Sequence, residues 1–262
     1  MSSHNEISEA LHNAKANSGV ALVPFFTAGY PSKETFTKDL IEISTIGDVV
    51  EVGIPFSDPM SDGMTIQRSS HIALKNGVSL SWVFDQIELV KKKIQAPLVF
   101  MSYLNPLLAF GFEKLANRAK EVGISGFIVP DLPLEESDDL RKALENMNLG
   151  LVQLVSPTTP KPRIIKLCEA SKGFVYAVTM TGITGSEKGI NENLSSYLNE
   201  IKKVSNLPVC AGFGVRSASD VNSIAKYADG AIVGSALVET MEKKTGYYSI
   251  FKYVTLRLKL NR

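Results

Sequence analysis

Glu51 stands inside an otherwise apolar run, Val49-Val50-Glu51-Val52. An ionised, unpaired carboxylate is expensive to bury there, so either its pKa rises or it has a partner. A raised pKa is what a general acid needs near neutral pH. Taken alone, the residue fits a buried glutamate satisfied by a backbone donor or an ion pair better than a catalytic acid. The loop that follows carries Asp58 and Asp62 among Pro, Ser and Gly, and each alone also reads as a turn or N-cap residue. Asp62 lies just above the Glu51 segment, however. Two carboxylates, one buried and one solvated, form the usual arrangement for separating acid–base from electrostatic roles.

Two glycine sites point to the substrate class. Ala211-Gly212-Phe213-Gly214-Val215-Arg216-Ser217 follows one apolar run, and Gly234-Ser235 follows the next. Glycines let backbone approach an anion closely, and amides at the start of the following helix carry partial positive charge. Together they predict a phosphate cup, although a lone Gly-x-Gly reads as readily as a turn. Neither Gly212–Gly214 nor Thr184–Gly185 fits a dinucleotide or Walker pattern. His4, His12 and His71 fall in the N-terminal segment and on an expected helix, which argues against histidine catalysis and a zinc site. No lysine falls at an expected strand end, which argues against imine chemistry. Proton transfer by carboxylates on a phosphorylated substrate remains, and with it lyase or isomerase chemistry.

Positioning such groups requires the elements around them. Short Val/Ile/Leu/Phe-rich runs alternate with segments of helical period from about residue 20 onward. The expected strands are Ala21–Phe26, Val49–Val52, Leu98–Met101, Gly126–Val129, Leu151–Leu154, Phe174–Val178, Val209–Ala211 and Ala231–Val233. Their continuous apolar character implies burial on both faces and a parallel sheet. This many strand–helix units fit a closed α/β (β/α)8 TIM barrel better than an open doubly wound sheet. No linker divides residues 1–262, so a single domain is expected, with an extra N-terminal helix near Glu6–Ala16 to plug the barrel bottom. Gly47, Gly123, Gly150, Gly173 and Gly230 are expected at helix C′ positions in the left-handed conformation. In such barrels chemistry sits in the loops after the strands, where both motifs fall, and phosphate commonly binds after strands seven and eight.

Composition narrows the class further. The chain has 262 residues, 44% hydrophobic and 21% charged, with a formal charge of +1, so nothing global steers it to nucleic acid or an anionic membrane. Lys91-Lys92-Lys93 closes a pattern of Val83, Ile87, Val90 and Ile94 and reads as the cationic last turn of an amphipathic helix. Cys168 and Cys210 provide neither a disulfide framework nor a CxxC motif. No secretory signal or membrane-spanning run is visible, and a cytoplasmic protein is expected.

The motifs together resemble the α-subunit family of tryptophan synthase, essentially end to end. The resemblance rests on Val23-Pro24-Phe25 with Thr27-Ala28-Gly29, Glu51 through Pro59, Asp62-Gly63 with Ile66-Gln67, and Tyr103 through Pro106. It continues in Pro130 through Pro133, Tyr176, Thr181 through Gly185, Gly212-Phe213-Gly214 and Gly234-Ser235. It implies a (β/α)8 barrel that cleaves indole-3-glycerol phosphate to indole and glyceraldehyde 3-phosphate by a reverse aldol. Glu51 aligns with the family's catalytic glutamate, Asp62 with the aspartate that binds the indole N–H, and Tyr176 with a tyrosine beside the reacting carbons. Thr184, Gly185, Phe213, Gly214, Gly234 and Ser235 carry over as substrate-binding residues, mostly around the phosphate, with Thr184 in a lid spanning Gly182–Gly189. Phe25, Ile66, Met101, Tyr103 and Val129 carry over as the indole slot, although each also suits ordinary barrel core. The resemblance further implies an α2β2 complex that passes indole to a pyridoxal-phosphate β subunit, with Pro55, Asp58 and Asn105 at the contact and no cofactor in this chain.

Three residues depart from the family pattern. Tyr30 stands where many members have an acidic residue, Met64 where a proline is usual, and Arg216 where small hydroxyl residues are common. They bear on loop rigidity, subunit coupling and phosphate affinity, and leave the reaction type untouched. Arg216→Ser is expected to change substrate affinity modestly. The alternatives are a free-standing indole-producing lyase, a mainly regulatory subunit, and another phosphate-binding barrel enzyme of the same pathway, which would show a strand-end lysine.

Overall fold

A computed structural model describes residues 3–179, 192–212 and 214–243. The chain opens with helix α1 (Ser3–Ser18) and then alternates strand and helix: β1 (Ala21–Thr27), α2 (Phe36–Ser44), β2 (Val50–Gly53), α3 (Met64–Lys75) and α4 (Leu80–Val90). Next come β3 (Leu98–Met101), α5 (Leu104–Phe110), α6 (Phe112–Val122), β4 (Ile124–Ile128), α7 (Asp138–Asn146), β5 (Gly150–Val155) and α8 (Lys161–Ala170). The described part closes with β6 (Val175–Val178), α9 (Glu192–Val204), β7 (Val209–Gly212), α10 (Ala218–Ile224), β8 (Gly230–Val233) and α11 (Ser235–Glu242). All eight expected strands form, with ends displaced by at most two residues.

The strands pair in parallel in chain order, and β8 returns to β1 in the register Ala21↔Gly230 to Pro24↔Val233, closing a (β/α)8 barrel. Period-two alternation sorts the side chains between two layers. Val23, Phe25, Val49, Val99, Met101, Ile128, Val152, Tyr176 and Ile232 cluster in the interior. Their neighbours Leu22, Phe26, Val50, Val52, Phe100 and Phe127 face outward and pack under the helices. Glu51 shares the pleat of Val49 and is therefore aimed inward.

The N-terminal helix is longer than the expected Glu6–Ala16 and covers the end of the barrel away from the strand C-termini. Ile7, Leu11 and Ala14 join the interior cluster. Ser8 Oγ donates to the Gly173 carbonyl at 2.6 Å, and Lys15 Nζ donates to the carbonyls of Ala225 and Ala228 at 2.8 and 2.9 Å. Ile7 leaves no room above Gly126 and Gly173, where a Cβ would stand 3.2 and 3.1 Å from its Cδ1.

The junction glycines divide by cause. Gly123 and Gly173 adopt the left-handed conformation, with φ of 87° and 86°. Gly47, Gly150 and Gly230 do not: a Cβ on Gly47 would strike the Pro24 ring at 2.6 Å and one on Gly230 the Cys210 sulfur at 2.6 Å, so these positions need space. After α7 it is Asn148, at φ 57°, that turns the backbone. The Lys91–Lys93 cluster forms a single 3₁₀ turn following α4 instead of continuing it, and Lys91 Nζ donates to the Glu121 carbonyl at 2.9 Å.

Candidate active site

Glu51 lies in β2 between Phe25 of β1 and Val99 of β3. It is 0% exposed, and neither carboxyl oxygen has a hydrogen-bond partner among the described residues. No cation offsets its desolvation, so burial pushes its pKa up to about 8. At neutral pH the group is a neutral acid with a proton to give.

Asp62 closes the loop after β2, immediately before α3. It is half-buried, less solvated than expected from sequence. Burial raises its pKa to about 6, and the Tyr103 hydroxyl, which donates to Oδ2 at 3.0 Å, works in the opposite direction. Tyr103 Oη also accepts the Ser61 N–H at 2.9 Å, and its ring stacks on Phe56 at 5.2 Å. The two carboxyls therefore differ at pH 7: Glu51 is protonated and Asp62 mostly ionised, because burial widens the small gap between an ordinary glutamate and an ordinary aspartate.

Both groups open onto one cavity of about 440 Å³ at the C-terminal mouth of the barrel. Phe25, Ile66, Met101 and Ile232 supply its apolar wall, Tyr176 its floor, and Gly214, Arg216, Gly234 and Ser235 its far end. Tyr176 is fully buried and lies close enough to Glu51 and Asp62 for both charges to oppose its ionisation, after burial itself. Its ring rests against Gly212, where a Cβ would stand 2.7 Å from Cζ. A larger hollow of about 580 Å³ lies beside this one, under the β4–β6 loops, and holds neither Glu51 nor Asp62.

The anion end is narrower than the sequence reading implied. The start of α10 is already occupied by its own side chains: Ser217 and Asp220 form a capping box, and Asp220 Oδ2 accepts the N–H groups of Arg216 and Ser217 at 2.9 and 2.8 Å. The Ser217-x-x-Asp220 spacing is the signal that could have shown this beforehand. What remains open to a ligand is Gly214, at φ 83°, and the start of α11, whose N-cap is Gly234 and whose first residue is Ser235. Gly234 is also confined by Phe25, whose Cδ1 would be 3.2 Å from an added Cβ.

The remaining site residues fall in three groups. Thr184, Gly185 and Phe213, with the Gly182–Gly189 segment, lie outside the described residues. Tyr103 is set back from the main cavity in a small void beside Asp62, and Val129 lines the neighbouring hollow. Pro55 is buried, whereas Asp58 is exposed on the loop after β2, with exposed Met60 and Met64 in the same β2–α3 region, and Asn105 is exposed in the first turn of α5. The departures also find places. Met64 is the exposed first residue of α3, and Tyr30 is buried against Arg68 and Glu242, which form an ion pair. Among the described residues no group of three His, Cys, Asp or Glu could hold a metal ion, and no helix is long and apolar enough to cross a membrane.

A (β/α)8 barrel with an inward neutral glutamate, a second carboxyl at the loop edge and an open helix start across the same cavity defines a barrel enzyme built for acid–base work on a small anionic substrate. Residues 11–254 match the family model described as tryptophan synthase alpha chain, and the chain belongs to that family. It is 41% identical over 237 residues to a tryptophan synthase alpha chain of Bacillus cereus, covering 90% of this chain and 92% of that one. It is 38% identical over 241 residues to one of Chloroflexus aurantiacus, covering 91% of each. A structure of Mycobacterium tuberculosis tryptophan synthase superposes with a TM-score of 0.87 at 32% identity, covering 96% of this chain and 97% of that one.

Proposed function

We propose that Glu51 and Asp62 are the working carboxyls of this chain's reaction, the reverse-aldol cleavage of indole-3-glycerol phosphate to indole and glyceraldehyde 3-phosphate. Membership of the family makes the chain a carbon–carbon lyase of tryptophan biosynthesis. The observation that carries the residue assignment is the partnerless Glu51 carboxyl, opening on the cavity that also holds Asp62 and the start of α11.

Glu51, protonated, delivers its proton to C3 of the indole ring, and the ring nitrogen takes up positive charge. Ionised Asp62 accepts the N–H hydrogen bond and stabilises that charge. The Glu51 carboxylate then removes the proton of the adjacent glycerol hydroxyl, the C–C bond breaks as the carbonyl forms, and its electrons return to the ring. Glu51 ends as it began. Phe25, Ile66 and Met101 provide the flat apolar contact for indole, with Tyr176 below the reacting carbons, while Gly214, Gly234 and Ser235 hold the phosphate. Tyr103 and Val129 flank this slot, and Thr184, Gly185 and Phe213 complete the binding set.

In this reading residues 1–262 work as one barrel domain in the cytoplasm, paired with a β subunit as α2β2. Pro55, Asp58 and Asn105 meet the partner, which carries the pyridoxal phosphate that joins indole to an amino acid. The exposed methionines Met60 and Met64, 81% and 78% accessible, support an apolar contact on this rim. The deciding experiment is indole release from indole-3-glycerol phosphate by the purified chain, alone and with a matching β subunit. Slow release that the partner strongly accelerates is expected. Fast release by the chain alone would favour a free-standing lyase, and none in either condition would reject the Glu51 assignment.

A further inference from the structure

Among the described residues that line the cavity, Arg216 is the one cation, set against two carboxyls, Glu51 and Asp62. Its position is built from both sides. The backbone N–H is tied to Asp220 Oδ2 at 2.9 Å, and the guanidinium is tied to Glu239, with Nη2 at 2.8 and 2.7 Å from the two carboxylate oxygens. Glu239 lies one helical turn beyond Ser235 on α11, and Thr65 Oγ1 donates to the same carboxylate at 3.1 Å. The guanidinium is thus parked beside the open start of α11. These bonds occupy Nη2; no bond among the described residues occupies Nη1 or Nε.

A phosphate dianion seated on Gly214, Gly234 and Ser235 would otherwise meet only neutral donors from these residues. Arginine presents a planar fork that matches phosphate oxygens in pairs, and charge-assisted bonds of this type are roughly twice as strong as neutral ones. We propose that Arg216 is a direct ligand of the substrate phosphate, held ready at the cup by Glu239, and that it sets this chain's affinity for the phosphorylated end of its substrate. The proposal rests on the phosphate-cup reading of the preceding subsection and adds to it a charged, specificity-determining side chain.

The test is calorimetric titration of the full chain with inorganic phosphate at two salt concentrations, for the native chain and for Arg216→Ser, Arg216→Lys and Glu239→Gln. Arg216→Ser should weaken phosphate about tenfold, the part of a charge-assisted bond that survives half-exposure, and should flatten the salt dependence. Arg216→Lys should recover part of the loss. Glu239→Gln should bind phosphate within about twofold of the native chain, because losing the group that holds the guanidinium is offset by losing a competing carboxylate. In steady state, Arg216→Ser should raise KM for indole-3-glycerol phosphate with kcat within about twofold. If the pair were only a structural ion pair, Arg216→Ser and Glu239→Gln would behave alike and leave phosphate affinity within twofold, and that result overturns the proposal. Failure of the native chain itself to bind phosphate would instead overturn the cup, and Arg216's role with it.

Discussion

Tyr103, the last residue before α5, gives its hydroxyl proton to Asp62 Oδ2 at 3.0 Å, across 41 positions of sequence. The tyrosine's own hydroxyl oxygen accepts the Ser61 N–H, so the tyrosine fixes both the carboxylate and the backbone that carries it. Its bond favours the ionised form of Asp62, against the burial that raises the pKa to about 6. Tyr103→Phe removes that bond and keeps the ring on Phe56. Asp62 should then ionise about one unit higher, taking about 1.5 kcal/mol for a bond to a charged group. The check is the acid limb of kcat/KM: it should move upward, with activity at pH 6 falling and that near pH 7.5 nearly kept. An unmoved limb would show that Asp62 does not govern it.

The two carboxyls define a pH window. In the proposed mechanism Asp62 is ionised to accept the indole N–H, which requires pH above about 6, and Glu51 is protonated to serve as acid, which requires pH below about 8. The profile of kcat/KM should be bell-shaped with limbs near these values and a maximum close to 7. Glu51→Gln should abolish indole release while phosphate ligands still bind. Residual turnover within about a hundredfold of native would assign the acid elsewhere.

Glu51 also imposes a cost on the fold that depends on pH. Its folded pKa of about 8 lies above the ordinary 4.5, so between these values the folded chain holds a proton that the unfolded chain has released. Stability therefore falls as pH rises through this window, with the full penalty present above about 8, on the order of a few kcal/mol. Denaturant unfolding at pH 5.5 and 8.5 should show a larger loss for the native chain than for Glu51→Gln, where this titration is absent. Equal losses would place the carboxyl in contact with water.

Gly212 has no side chain because Tyr176 occupies the space. A methyl group at this position would press on the tyrosine ring, 2.7 Å from Cζ, and the ring is fully enclosed. Gly212→Ala should displace Tyr176 toward the cavity, lowering kcat/KM by more than tenfold at a cost of about 1–3 kcal/mol in stability, as for overpacking generally. Thermal unfolding and kinetics on the same sample separate the two effects. Native kinetics in this variant would show that the Tyr176 position is unimportant to the reaction.

The barrel was legible in the sequence because its rules are local. Strand and helix periods repeat within a few residues, and eight such units leave few closed topologies. Glu51 stood out by the same logic, as a charge within an apolar strand. Contacts between distant segments carried no such trace. Tyr103 read as a slot wall because nothing near it in sequence names Asp62 as its partner, and Arg216 read as a bare charge because Glu239 is found only when β7 and α11 come together. The junction glycines show a different limit. Gly123 and Gly230 look alike in sequence, yet one relieves a backbone angle and the other makes room for the Cys210 sulfur, a distinction set by the packing of the neighbouring strand.

The closure of the barrel brings the early and late parts of the chain together. β1 hydrogen-bonds to β8, and Thr65 and Arg68 of α3 reach Glu239 and Glu242 of α11, each 174 residues away. During synthesis the segment with Glu51 and Asp62 emerges from the ribosome long before α11. A nascent or truncated chain that ends before α11 lacks Glu239 and Glu242, and Thr65 and Arg68 are left without these partners. The sheet can close only after β8 has emerged, so the pairing of the first strand with the last is the final link of the barrel to become available.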